Sequence, residues 1–191
     1  MARNGILCLE GDWEEGLARR RTVRPVLELL KSQWNIPFIH RNASTREEFR
    51  SVLGKWSTAR YQDFRILYLA FHGVPGHLKI EDEIVPILDL HELFRGGARG
   101  RFIHFGACET VSTKPGQLRD FLRRSGFAGL CGFREDVDWL EACALELVVL
   151  NELATHKLSA RGLSASRDRI NAKARSLARH LDFRFYTRGE L

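Results

Sequence analysis

Apolar residues along this chain fall into short continuous runs, and stretches with a helical period separate them. Ile6-Leu7-Cys8-Leu9 is the first run and stops at Glu10-Gly11-Asp12. Ile36–His40, Ile66–Phe71, Phe102–Phe105 and Ala128–Phe133 repeat the form, each too short for a helix and bounded by turn-type residues. Pro37, near the start of the second run, predicts an edge position for that strand. Between the runs, Thr22 is placed to cap a helix with Pro25 in its first turn and Val26, Leu27, Leu29 and Leu30 inside. Ser44-Thr45-Arg46-Glu47 reads as a capping box ahead of Phe49, Val52, Leu53 and Trp56 at helical spacing. Val74-Pro75-Gly76 predicts a turn, and Leu78-Lys79-Ile80 and Ile84-Val85 flank an acidic tip as a hairpin off the main sheet.

A helix through Leu88, Leu90, Leu93 and Phe94 should stop at Gly96-Gly97, and Gln117–Arg124 should form another, ending at Ser125-Gly126. Asp138-Trp139-Leu140-Glu141 opens a long helix reaching about His156. Ser164 or Ser166 is the expected cap of a last helix through Ile170, Leu177 and Leu181, and Phe183–Tyr186 alternates like an edge strand. Strands alternating with helices predict a three-layer α/β fold, with a mostly parallel central sheet and helices on both faces. The whole chain, 1–191, is expected to form one domain, since 191 residues bury one real core and not two comfortable ones.

Composition changes this picture little. Charged residues at 28% and hydrophobic residues at 44% are ordinary for a globular protein. No apolar run approaches the roughly 20 residues of a membrane helix, and Met1-Ala2-Arg3-Asn4-Gly5 leads straight into the first strand without a signal-type segment. The expected location is the cytoplasm, with no membrane partner. The net charge of +6 is modest, and Arg167, Arg169, Lys173, Arg175 and Arg179 read most simply as a solvated helix face. Nucleic acid is therefore not expected as the primary partner. Cys8, Cys131 and Cys143 lie on apolar stretches as small core residues; no Cys-x-x-Cys or Cys/His cluster occurs, and no metal or organic cofactor is expected.

The chemistry concentrates where two strongly apolar strands end. His72-Gly73 follows Ile66–Phe71, and Cys108 follows Phe102–Phe105 and Gly106-Ala107. In an open α/β sheet, ligands bind beyond the carboxyl ends of the strands. If these two are neighbours, imidazole and thiol share one edge. Sulfur is a strong nucleophile, and an adjacent imidazole can lower its pKa and protonate a departing amine. Gly73 lets backbone approach a substrate, so that its N–H and that of Cys108 can face a developing oxyanion. His40 and His104 lie within strands as packed or edge residues, and Trp56 and Trp139 fit core stripes.

Leu67–Gly73 and Phe102–Cys108 together resemble the caspase-like cysteine peptidases, which include metacaspases, separases and the bacterial CHAT-type proteases. Asn42–Phe49 and Val85–Gly96, ending in Leu93-Phe94-Arg95-Gly96, are similar to the flanking helices of that family, and the likeness covers roughly residues 5–155. It implies a caspase-like fold, a Cys-His dyad of His72 and Cys108, an oxyanion hole from Gly73 and Cys108, and a protein or peptide substrate. Caspases carry Gln-Ala-Cys followed by Arg, Gln or Gly and then Gly, with the histidine about 50 residues upstream. Here Gly106-Ala107-Cys108-Glu109-Thr110 and an interval of 36 point instead to the compact bacterial type, without implied aspartate specificity. The resemblance extends to regulated proteolysis or bacterial defence as a setting.

In that family the primary specificity pocket is built from loops including those after the first and fifth strands. These read Glu10-Gly11-Asp12 and Arg134-Glu135-Asp136-Val137-Asp138. Glu10, Asp12, Asp136 and Asp138 would favour a basic residue before the scissile bond. Arg134 works against such a pocket, and Asp138 with Glu141 is also a capping box. Two other readings stand beside the peptidase: a catalytically silent relative serving as an adaptor, and a basic flavodoxin-like binding module with a structural Cys108.

Overall fold

A computed structural model describes residues 3–14, 21–94 and 98–189 of the chain. Six strands form the main sheet: β1 (Ile6–Glu10), β2 (Phe38–Asn42), β3 (Ile66–Ala70), β7 (Phe102–Phe105), β8 (Gly129–Phe133) and β9 (Phe183–Thr187). Their spatial order is β2-β1-β3-β7-β8-β9, with every pair parallel except the last, where β9 runs antiparallel to β8. The fold is thus α/β, with a mixed and mostly parallel sheet.

Both faces of that sheet are covered, which is why its inner strands read as unbroken apolar runs rather than alternating ones. Successive side chains still go to opposite sides. Leu7, Leu9, Leu67, Leu69, Ile103 and Phe105 pack with α2 (Arg46–Trp56) and α3 (Pro115–Ser125). Ile6, Cys8, Ile66, Tyr68, Phe102 and Cys131 pack with α1 (Arg24–Trp34), α4 (Trp139–Thr155) and α5 (Ala160–His180). Two cores back to back hold the strand ends in register, and those ends carry the site.

The helix boundaries follow local chemistry with several shifts. At α2 the capping box is Thr45 with Glu48, one residue later than Ser44 with Glu47: the Thr45 hydroxyl accepts the Glu48 N–H while the Glu48 carboxylate accepts back. At α1 the cap position is Val23, which makes no side-chain cap; Thr22, one residue earlier, donates its hydroxyl to Glu10 while its oxygen accepts the Arg24 N–H at 3.2 Å, and Pro25 lies in the first turn. α5 starts at the Ser159 cap, five residues before Ser164, and Ser166 is buried inside the helix. The Ser159 hydroxyl accepts the Gly162 N–H at 3.2 Å and sets the start, and Gly162 is required there, since a Cβ would fall 2.0 Å from the Lys157 carbonyl oxygen. The segment through Leu88–Phe94 is a 3₁₀ helix, Ile87–Leu93, in which Ile87, Leu90 and Leu93 recur at the three-residue period of that form. Its expected stop at Gly96-Gly97, like Arg95, lies outside the described residues.

β2 is an edge strand, with Pro37 just ahead of it. The expected hairpin off the main sheet is present as β5 (His77–Ile80) and β6 (Glu83–Pro86). His72-Gly73 itself joins it as β4 (His72–Val74), so the candidate histidine begins a separate three-stranded sheet. Among the described residues no helix is long and apolar enough to cross a membrane.

Candidate active site

β3 and β7 are parallel neighbours, with Leu69 beside Phe105, so both deliver their next residues to one edge. The Gly106 N–H donates to the Leu69 carbonyl at 2.8 Å and carries the pairing one step past the strand. The turn at Cys108 is then tied on two sides. Glu109 takes a left-handed conformation (φ 55°) and donates to the Glu135 carbonyl at 3.2 Å, while its own carbonyl accepts from Gly76 at 3.2 Å. Backbone packs closely at Gly73, where a Cβ would lie 2.1 Å from the Cys108 carbonyl oxygen. Gly73 pairs with Leu78, one step from the Val74–His77 pair that closes a two-residue turn. That is the non-hydrogen-bonded position of the ladder, so the Gly73 N–H is directed away from β5.

His72 and Cys108 line one cavity of about 150 Å³, whose other walls include Trp13, Phe133, Asp136 and Trp139. Among the described contacts no hydrogen bond joins the two. His72 is exposed, and its Nε2 lies 3.0 Å from the Trp13 carbonyl oxygen. A carbonyl only accepts, so this contact places a proton on Nε2 and makes Nδ1 the acceptor nitrogen of the neutral ring. The Trp13 indole stands edge-on to the imidazole at 5.2 Å.

The half-buried Cys108 thiol is pushed up to about 11. Burial is the main cause, a hydrogen bond to Asp136 adds to it, and the Val137 N–H opposes it. The expected lowering by imidazole is therefore not what this geometry produces: the group facing sulfur is a carboxylate. At neutral pH Cys108 is therefore the thiol. Removing that carboxylate with Asp136→Asn is expected to lower the thiol pKa and raise the iodoacetamide labelling rate of Cys108 severalfold near pH 8. A labelling rate that does not change would mean Asp136 has no hold on the sulfur.

The four carboxylates expected around the pocket separate into different roles. Glu10 is 1% exposed, and its oxygens accept from Trp13 Nε1, Thr22 Oγ1, the Val23 N–H and His40 Nε2 at 2.6–2.7 Å. It is a clamp within the fold and not a pocket carboxylate. Asp138 caps α4, accepting the N–H groups of Leu140 and Glu141 at 2.9 and 3.1 Å. Asp136 lines the Cys108 cavity, whereas Asp12 lines a wider groove of about 710 Å³ on the far side of His72, with Gly73 and Lys79. Arg134 lies 3.8 Å from Asp182.

Three residues of the site are not singled out by the sequence patterns. Trp13, in a charged loop, supplies a carbonyl and a ring to His72. Trp139 turns from the expected core stripe into a cavity wall. Glu146 also lines the cavity, 3% exposed, on the apolar stripe of Ala142, Leu145 and Val149. A carboxylate in such a stripe is the one signal available, because unpaired buried acids are rare. Its partners are Tyr68 Oη at 2.6 Å and His104 Nε2 at 2.9 Å, and His104 Nδ1 meets Cys131 Sγ at 3.2 Å. Burial alone would strip the His104 proton, but Cys131 and Glu146 outweigh it and raise that imidazole to about 10. The network sits directly beneath the Cys108 turn, where a Cβ on Gly106 would meet the Tyr68 ring at 2.4 Å and Glu146 Oε1 at 2.5 Å.

No group of three or more His, Cys, Asp or Glu among the described residues is arranged to hold a metal ion. Comparison with curated proteins gives no match. Residues 3–187, nearly the entire chain that bears this sheet and cavity, match DUF6642, and the protein belongs to that family, described as a family of unknown function.

Proposed function

We propose that the chain is a caspase-like cysteine endopeptidase with Cys108 as nucleophile and His72 as general base and acid. One observation carries the reading: thiol and imidazole line the same small cavity, with the Gly73 backbone pressed against that of Cys108. The strand order and the three-stranded sheet beginning at His72 support it. Attack forms a bond from Cys108 Sγ to the substrate carbonyl carbon as the thiol proton passes to His72 Nδ1. The oxyanion is received by the N–H groups of Gly73 and Cys108. The C–N bond then breaks, His72 returns its proton to the leaving amine, and water hydrolyses the thioester to a carboxylate and the free thiol.

Because Cys108 is held as a thiol, attack needs a base positioned to take its proton, the role given to His72. Asp136 links this to substrate choice. A basic side chain bound beside it would neutralise the carboxylate that disfavours thiolate, so the preferred substrate would also activate the nucleophile. In a peptide library, cleavage is expected after Arg or Lys and is expected to vanish in Cys108→Ala and His72→Ala. Cleavage only after Asp would overturn the substrate assignment. Asp136→Asn should lose the preference for basic residues while its thiol labels faster.

The silent-adaptor reading draws on that same protonated thiol. Labelling separates the two: in the peptidase His72 takes the Cys108 proton as sulfur attacks, so Cys108 reacts ahead of Cys8, Cys131 and Cys143, and more slowly in His72→Ala. Equal, slow labelling of all four favours an adaptor or a binding module.

A further inference from the structure

We propose that Glu10 and Trp13 are positioning residues for His72, acting through the hydrogen bond between the Trp13 indole and the Glu10 carboxylate. The inference rests on the reading of His72 as the base. Glu10 ends β1, and its carboxylate draws together both limbs of the segment between β1 and α1. Trp13 Nε1 comes from one limb at 2.7 Å; Thr22 Oγ1 and the Val23 N–H come from the other at 2.7 Å each. His40 of β2 makes the fourth contact, at 2.6 Å. A buried carboxylate holding four donors is a rigid point, because losing any one leaves a lone pair or a donor dry.

Trp13 transmits that rigidity. One end of the residue is the indole, bonded to Glu10 and packed edge-to-face on Trp139 with ring centroids 4.6 Å apart. The other end is the carbonyl that meets His72 Nε2 at 3.0 Å. With the indole held, the carbonyl is held, and its position decides which imidazole nitrogen carries the proton. The indole face also limits rotation of the ring it abuts at 5.2 Å. Trp13 thus does for His72 what an orienting carboxylate or amide does for the histidine of other nucleophile–base pairs.

The test is Trp13→Phe, which keeps an aromatic ring and the backbone carbonyl and removes only the indole N–H. The readout is the tautomer ratio of neutral His72 from imidazole ¹⁵N shifts, which requires no substrate. Wild type is expected to be chiefly the Nε2–H form. In Trp13→Phe, with a denaturation midpoint showing the fold intact, the ratio of Nε2–H to Nδ1–H should fall about fivefold, the preference one ordinary hydrogen bond maintains. An unchanged ratio overturns the proposal. So does a wild-type spectrum without Nε2–H dominance, which needs no variant to fold. If the ratio falls while wild type cleaves no peptide, the positioning role stands and the peptidase reading fails; cleavage with an unmoved ratio does the reverse.

Discussion

Gly73→Ala is expected to reduce Cys108-dependent peptide cleavage about a hundredfold, the scale for displacing a reacting group by roughly 1 Å. Space is the obstacle. The new Cβ would lie 2.1 Å from the Cys108 carbonyl oxygen and 2.9 Å from Thr110 Cγ2, and the nearer of these is backbone that cannot swing aside. Either β4 or the Cys108 turn must move, and each carries half of the proposed chemistry. Movement also withdraws the Gly73 N–H from the oxyanion, a donor worth on the order of a hundredfold by itself. Overpacking should cost stability by about 1–3 kcal/mol. Cleavage kinetics beside a urea denaturation curve would separate the two effects: a stable variant with wild-type kcat/KM would show that Gly73 has no role in the site.

Glu146→Ala is expected to destabilise the fold strongly, by about 3–5 kcal/mol, as for a buried pair that loses one partner. The carboxylate is 3% exposed and accepts from both Tyr68 and His104; without it a buried hydroxyl and a buried imidazole are left dry. A pH dependence accompanies this. His104 is raised to about 10 in the folded protein, against about 6.5 in an unfolded chain. Between those values the native state holds a proton that the unfolded state has released. The corresponding stability is fully present below about pH 6.5 and lost as pH climbs through about 10. Glu146→Gln, which retains shape without charge, should flatten that decline. Urea midpoints from pH 6 to 10 measure it, and a wild-type midpoint insensitive to pH across this window would mean His104 is buried neutral.

Both predictions concern groups beneath or beside Cys108, and they differ in how far the chain order announces them. Gly73 follows an apolar run and a histidine, so its place at a strand end is legible from neighbouring residues. Glu146 stands out only as an acid in an apolar helix; that it serves His104 and Tyr68, 42 and 78 residues away, is a fact of packing.

The sequence by itself determined the layers, the order of the main elements and the two strand ends bearing His72 and Cys108. Those follow from hydrophobic period and turn chemistry, which act over a few residues. It was also sufficient for the edge position of β2 and for the hairpin outside the sheet. Tertiary structure decided which carboxylates face the cavity. Glu10 and Asp136 look alike in the chain, yet one is locked by donors from three segments and the other faces the thiol. It likewise decided that Trp13, from a polar loop, meets His72, and that burial, with a carboxylate rather than an imidazole beside the sulfur, keeps Cys108 a thiol. A side chain's charge state and hydrogen-bond partners depend on which distant groups share its cavity, and only the folded chain brings those groups together.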